Sequence, residues 1–156
     1  MGVDTLDLVQ LHMTYGWMKD VAGPDLCHCL ASRRGARMLS RIYDRHLAPA
    51  SINISQFALL SYIGRDPGMG ASALADRMVM ERTTLVRALK PLRAAGLVEA
   101  VREGGPDLRY RLSSEGEAVL AEADPLWTAA QTEYETMFGR DRASGLRDEL
   151  LALTSA

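Results

Sequence analysis

The chain is short of cysteine, has no long apolar run and carries no catalytic signature, and each shortage narrows what it can be. Its two cysteines, Cys27 and Cys29, sit one residue apart. That is too close for an ordinary structural bridge within one helix or strand, which argues against a secreted disulfide framework. No apolar stretch approaches the roughly 18 residues that a membrane span needs, and the aspartates of "MGVDTLDLVQ" are wrong for the basic start of a signal peptide. The expectation is a cytoplasmic chain with no membrane partner. Nucleophile elbow, P-loop, dinucleotide fingerprint and paired-carboxylate patterns are all missing, as are repeats and low-complexity tracts. Neither an enzyme nor a cofactor is expected.

What is present is a chain of 156 residues, 47% hydrophobic and 24% charged, enough to bury a real core in one domain. The net charge of −2 conceals a partition along the chain. Between Ala71 and Arg111 there are eight basic and five acidic side chains; between Ala31 and Pro49 there are five arginines and one aspartate. From Ser114 to Ala156, nine acids face three arginines. Basic surface therefore belongs to the middle of the chain, and such asymmetry bears on partners.

Gly23-Pro24 closes a leading segment in which Leu6, Val9, Met13 and Trp17 recur at helical spacing. A helix is predicted over Leu26 to Leu47, ended by Pro49. Ser55 reads as the N-cap of "QFALLSYIG", which Gly64 and Asp66-Pro67-Gly68 close, and "ASALADRM" reads as a short third helix. In "ERTTLVRALKPLRAAGLV", at about 100° per residue, Leu85, Leu89 and Leu92 share one face while Thr83, Val86, Arg87 and Lys90 gather opposite. Gly96 suits the left-handed position past a helix end. Pro91 removes one hydrogen bond, so a kink or a 3₁₀ turn is predicted there. "LVEAVRE" and "LRYRL", flanking Gly104-Gly105-Pro106-Asp107, read as a hairpin with Leu108, Tyr110 and Leu112 facing inward. Ser114 with Glu117 has capping-box spacing for a long helix to about Gly139, and "RASGLRDELLAL" gives a last helix.

A helix, a short helix, a second helix with a polar outer face and then a glycine-tipped hairpin make a winged helix-turn-helix. Its second helix fits the major groove of double-stranded DNA, and the hairpin reaches phosphate or the adjacent minor groove. The fold class is mainly α with a small β-hairpin wing: a winged helix-turn-helix lobe at 51–113, a helical region at 25–50 and 114–156, and an N-terminal extension at 1–24. "ALADRM" before "ERTTLVRAL", "AAGLVE" after it and a closing "LSSEG" resemble the multiple-antibiotic-resistance regulator (MarR) family, which writes Leu-Thr-x-x-Gly at the last of these. "RIYDRHLAP", "ISQFALLSYI" and "DPLWTAAQ" extend the resemblance over most of the chain beyond residue 25.

The resemblance implies a homodimer, with the first and last helices forming the dimerisation body and two winged lobes about one DNA turn apart. It implies a transcription regulator, most often a repressor, that binds a pseudo-palindromic operator and is released by a small aromatic or anionic effector such as a phenolic acid or its thioester. The residues predicted to contact DNA are Ser72, Arg82, Thr83, Thr84, Val86, Arg87, Lys90, Arg102, Arg109 and Arg111. Val86 replaces the family's usual Ser or Thr and offers only apolar contact, as to a thymine methyl. Arg109 matches the family's Asp-x-Arg wing arginine in type but not in register, which leaves Arg102 and Arg111 as alternatives.

For the effector the predicted residues are Arg34, Arg45, His46, Phe57, Tyr62 and Trp127. The resemblance sets the last four near the junction of body and lobe; Arg45 belongs to the arginine ladder of the first long helix, and Arg34 lies beside it. The bland alternative for each aromatic, Tyr43 included, is plain core. Arg33, Arg37, Arg41 and Arg45 form a ladder at i,i+4, and like charges at that spacing repel, so an anion is expected against them. The acid-rich C-terminal helices, an effector and phosphate are the three sources. Cys27 and Cys29 lie close to where the resemblance to the family's organic-hydroperoxide-sensing branch implies a reactive thiol, a switch that a helix N-terminus and nearby arginines favour; the other reading is small buried hydrophobes. The other histidines, His12 and His46, stand in no ligand spacing, so no metal is expected. Cys27 beside His28 is poor geometry for a thiol-dependent enzyme, since neighbours on a helix point about 100° apart.

Overall fold

The computed structural model describes residues 23–102 and 107–154. The predicted helical pattern through Leu6, Val9, Met13 and Trp17 lies outside them. The described residues fall into two units, divided between Met38 and Leu39 inside the first helix. That helix, α1, runs His28–Leu47 after a 3₁₀ turn at Gly23–Leu26, and a second 3₁₀ turn at Ala48–Ala50 stops it where Pro49 was expected to. On the first unit's part of α1, Arg33, Arg34 and Arg37 stand exposed.

In the second unit, α2 spans Ile54–Arg65, β1 Met69–Gly70, α3 Ala71–Arg77 and α4 Arg82–Ala94. The strands β2 (Val98–Arg102) and β3 (Leu108–Leu112) follow, then α5 (Ser114–Phe138) and α6 (Arg140–Thr154). The N-cap of α2 is Asn53, two residues before the predicted Ser55. Its side chain accepts from the Gln56 N–H while the Gln56 side chain accepts from the Asn53 N–H, a reciprocal box that satisfies two end donors at once. Asp44 of α1 accepts from the next free donor, the Ile54 N–H, at 2.8 Å.

The expected hairpin is present, but it belongs to a three-stranded antiparallel sheet in the order β1-β3-β2. Met69 lies opposite Tyr110, and Val98 opposite Leu112. Two residues are too few to show a period of two, so β1 left no pattern to read. Burial along β3 alternates as predicted, with Tyr110 only 2% exposed and Arg109 and Arg111 outside.

The core is built from leucines at helical spacing. Leu85, Leu89 and Leu92 of α4 are at most 1% exposed, and they join Leu60 and Ile63 of α2 and Leu74 of α3. No 3₁₀ turn forms at Pro91: α4 stays α-helical through it to Ala94. The proline is exposed, so the carbonyl that loses its partner is on a solvated flank rather than in the core. Gly96 then takes φ +74°, the left-handed conformation expected of it. The α5 cap also differs from expectation: Ser113 rather than Ser114 is the N-cap, accepting from the Gly116 N–H, so Glu117 closes no box. Gly139, at φ +94°, separates α5 from α6. Among the described residues no helix is long and apolar enough to cross a membrane.

Candidate nucleic-acid interface

The leucine face of α4 turns into the core, which leaves the rest of the helix outward. Thr83, Thr84, Val86, Arg87 and Lys90 are all exposed, on the helix that follows α3 across a tight turn at Val79, as in a helix-turn-helix. At about 100° per residue the outer surface divides in two. Thr83, Arg87 and Lys90 form one stripe. Arg82, Val86 and Arg93 form another, closer to the leucines.

This second stripe faces the wing. Between them lies a groove of about 440 Å³ lined by Ser72 at the start of α3, by Arg82, Val86 and Arg93, and by Arg102 and Arg109 of the wing. Four guanidinium groups border one concave surface, with Asp107 the only acid on it among the described residues. Asp107 sits 3.8 Å from Arg82, an exposed pair worth little. Such a surface focuses positive potential on an elongated anion.

Sequence reasoning missed Arg93. Its spacing of 11 from Arg82 and 7 from Val86 would have placed it on the same stripe. The three wing arginines part company: Arg102 and Arg109 line the groove, whereas Arg111 donates its Nε–H to Glu99 at 2.7 Å from the directly opposite position. Arg109 also donates to the Gly68 carbonyl at 3.2 Å, which ties the wing to the strand entering α3.

The predicted effector residues divide as well. Phe57 and Trp127 stack, with ring centroids 5.9 Å apart and 16° between planes. They wall a cavity of about 430 Å³ between α2, the end of β3 and α5, and among the described residues Arg65 is its one basic lining residue, beside Glu117 and Asp124. Tyr62 packs against the core and does not line it. Arg45 and His46 are elsewhere, both on Glu133 of α5: Arg45 donates to Oε1, and His46 Nε2 lies 2.7 Å from Oε2. One rung of the arginine ladder thus meets the acid-rich C-terminal helices, the blandest of the three anions. Tyr43 donates to the Gln131 side chain, and its burial, followed by the nearby Tyr134 and Glu135, raises its pKa. Cys27 and Cys29 are both exposed free thiols, not the small buried hydrophobes that were one expectation.

The Arg45 guanidinium, then His46, hold the Glu133 carboxyl below its usual pKa. A carboxylate stabilised in the fold contributes stability above its unfolded pKa and loses it as the pH falls through the folded value. Glu133→Gln is therefore expected to lower the melting temperature slightly near neutral pH. The difference from the unaltered chain should vanish in acid below the carboxylate range; a constant gap across the pH series would show that the pair contributes nothing.

Residues 50–107 match a model described as the MarR family. The transcriptional regulator MosR of M. tuberculosis, crystallised with DNA, is 35% identical over 83% of this chain and 94% of its own, with a TM-score of 0.75. The chain belongs to the MarR family. It is a DNA-binding transcription regulator, in a family and among structural neighbours that are regulators and not enzymes. Two more distant structures share the fold: the repressor CouR bound to p-coumaroyl-CoA, at 24% identity, TM-score 0.71 and coverage of 81% and 91%, and PcaV of Streptomyces coelicolor with its natural ligand, at 18%, 0.76, 86% and 96%. No curated protein matches the chain.

Proposed function

We propose that this MarR-family chain is a cytoplasmic repressor that binds a pseudo-palindromic operator as a homodimer and releases it when a small aromatic anion enters the cavity walled by Phe57 and Trp127. The observation that carries operator binding is the double stripe on α4, one half free for base edges and the other joined to the wing across an arginine-lined groove. Thr83, Thr84 and Arg87 read bases, and Val86 contacts a thymine methyl. Ser72, Arg82, Lys90, Arg93, Arg102 and Arg109 hold phosphate or minor groove, with Arg111 held back by Glu99.

Dimerisation is supported by α6. Leu146, Leu150, Leu151 and Leu153 leave 40–79% of their surface exposed on this one helix. Leu146, Leu150 and Leu153 share one face at about 100° per residue, and an exposed apolar face of that kind calls for a protein partner. The cavity has the volume of a small-molecule site, with an aromatic wall and Arg65 to meet a carboxylate. Arg65 takes the part first expected of Arg34, Arg45 and His46. A phenolic acid fits that chemistry, and its thioester would leave the acyl carrier outside.

A mobility shift with duplex DNA from upstream of the chain's own gene, at stated salt, tests both halves. Binding that a panel of phenolic acids and thioesters reverses supports the whole; binding that none reverses removes the effector half. Exposure of Cys27 and Cys29 at the start of α1 favours a second reading, release by organic peroxide. Cys27→Ser or Cys29→Ser, whichever removes the sensing thiol, should abolish peroxide-driven release. Release unchanged in both would end it.

A further inference from the structure

We infer that Ser113 and Gly116 are positioning residues that lock the end of the DNA-reading helix to α5, so that DNA docking and the Phe57–Trp127 cavity sense one another through this corner. The corner is bonded from both sides. The Ser113 hydroxyl donates to the Gly96 carbonyl at 2.6 Å and accepts from the Gly116 N–H at 3.0 Å, while the Ser113 N–H donates to the Leu97 carbonyl at 3.1 Å. Gly96 and Leu97 are the residues that leave α4, and the Leu97 N–H in turn donates to Leu92 O at 2.9 Å. A single serine thus holds the stop of one helix and the start of another.

Gly116 makes the contact closer than any side chain allows. A Cβ there would lie 2.1 Å from the Leu97 carbonyl oxygen, well inside the sum of atomic radii, although φ at this residue is unremarkable. Glycine is needed for approach rather than for conformation. The same short stretch forms part of the cavity wall: Leu112 precedes Ser113, Glu117 follows Gly116, and both line the space beside Phe57 and Trp127. Gly64 of α2, which lines the same cavity, is packed so tightly that a Cβ would meet Leu112 at 3.1 Å and Leu120 at 3.3 Å. Packing of this kind passes on a displacement instead of absorbing it.

The inference rests on reading that cavity as the effector site, and linkage makes it testable without knowing the effector. If cavity and DNA-reading helix are coupled, DNA must perturb the cavity as surely as a ligand perturbs DNA binding. With Trp17→Phe, Trp127 is the sole tryptophan and reports from the cavity wall. DNA from upstream of the chain's gene, titrated into this protein, is expected to change Trp127 emission in step with binding followed by anisotropy of labelled DNA. Ser113→Ala should lose most of that emission change while still binding DNA, and Ser113→Thr, which restores the hydroxyl, should regain it. Gly116→Ala is the harsher variant, expected to weaken DNA binding as well; if it does not fold, the serine pair decides alone. Two results would overturn the joint: an emission change of undiminished size in Ser113→Ala, or no change in the parent protein at saturating DNA. A full emission change that needs the hydroxyl, in a protein that binds no phenolic acid, would support the joint while removing the effector assignment.

Discussion

Leu89→Ala is expected to lower the unfolding free energy by about 2–5 kcal/mol, the usual cost of truncating a buried leucine. Leu89 is 1% exposed and lies between Leu85 and Leu92 on α4, against Leu60, Ile63 and Leu74. Removing three carbons there, the γ-carbon and its two methyls, sacrifices transfer free energy and opens a void that tightly packed neighbours cannot fill. Denaturant unfolding reads the effect as a lower midpoint with little change in slope. Val86→Ala, one turn away and 46% exposed, is the control and should stay within roughly 0.5 kcal/mol. Equal losses in the two would mean that the leucine face of α4 is not the side that packs.

Arg87→Ala should cost about 1–3 kcal/mol of discrimination, close to 5- to 150-fold, between operator and random duplex. The residue is exposed on the outer stripe with Thr83 and Lys90, away from the wing groove, where a guanidinium can make two parallel bonds to a guanine edge. Arg93→Ala belongs to the other stripe and should weaken binding to both duplexes alike, with a shallower dependence on salt. Competition titrations of the two variants against labelled operator separate these cases. Uniform weakening by Arg87→Ala would reassign it to phosphate.

The helices and wing were legible because burial on one side leaves a period in the sequence, 3.6 for α4 and two for β3. Capping was less so. "NISQ" carries capping-box spacing from Asn53 to Gln56, but Ser55 in the same stretch competes for the role; the Asp44 carboxylate reaching the Ile54 N–H adds support that no local pattern shows. Ser113 and Ser114 are adjacent and chemically the same; what selects Ser113 is the Gly96 carbonyl, 17 positions earlier, which no local pattern reveals. Of the two outcomes expected at Pro91, the 3₁₀ turn does not form, because the proline sits on a solvated flank where the lost bond is cheap. On the DNA face the stripe through Thr83, Arg87 and Lys90 was legible, whereas the pairing of Arg111 with Glu99 needs strand register, and the grouping of Arg93 with the wing needs tertiary structure. Of the residues named for an effector, Phe57 and Trp127 are the two that the structure brings to the proposed cavity. Arg65, separated from both in sequence, reaches them because α2 and α5 pack together.

One titration tests the central claim most directly: affinity of the purified chain for duplex DNA from upstream of its gene, followed by anisotropy across a salt series, with stoichiometry read at saturation. Two chains per duplex site and a steep fall of log affinity with log salt are expected, because several arginines and a lysine displace counterions at once. Binding by one chain alone, or an affinity that salt leaves unchanged, would contradict a dimer that lays its α4 helices into successive grooves.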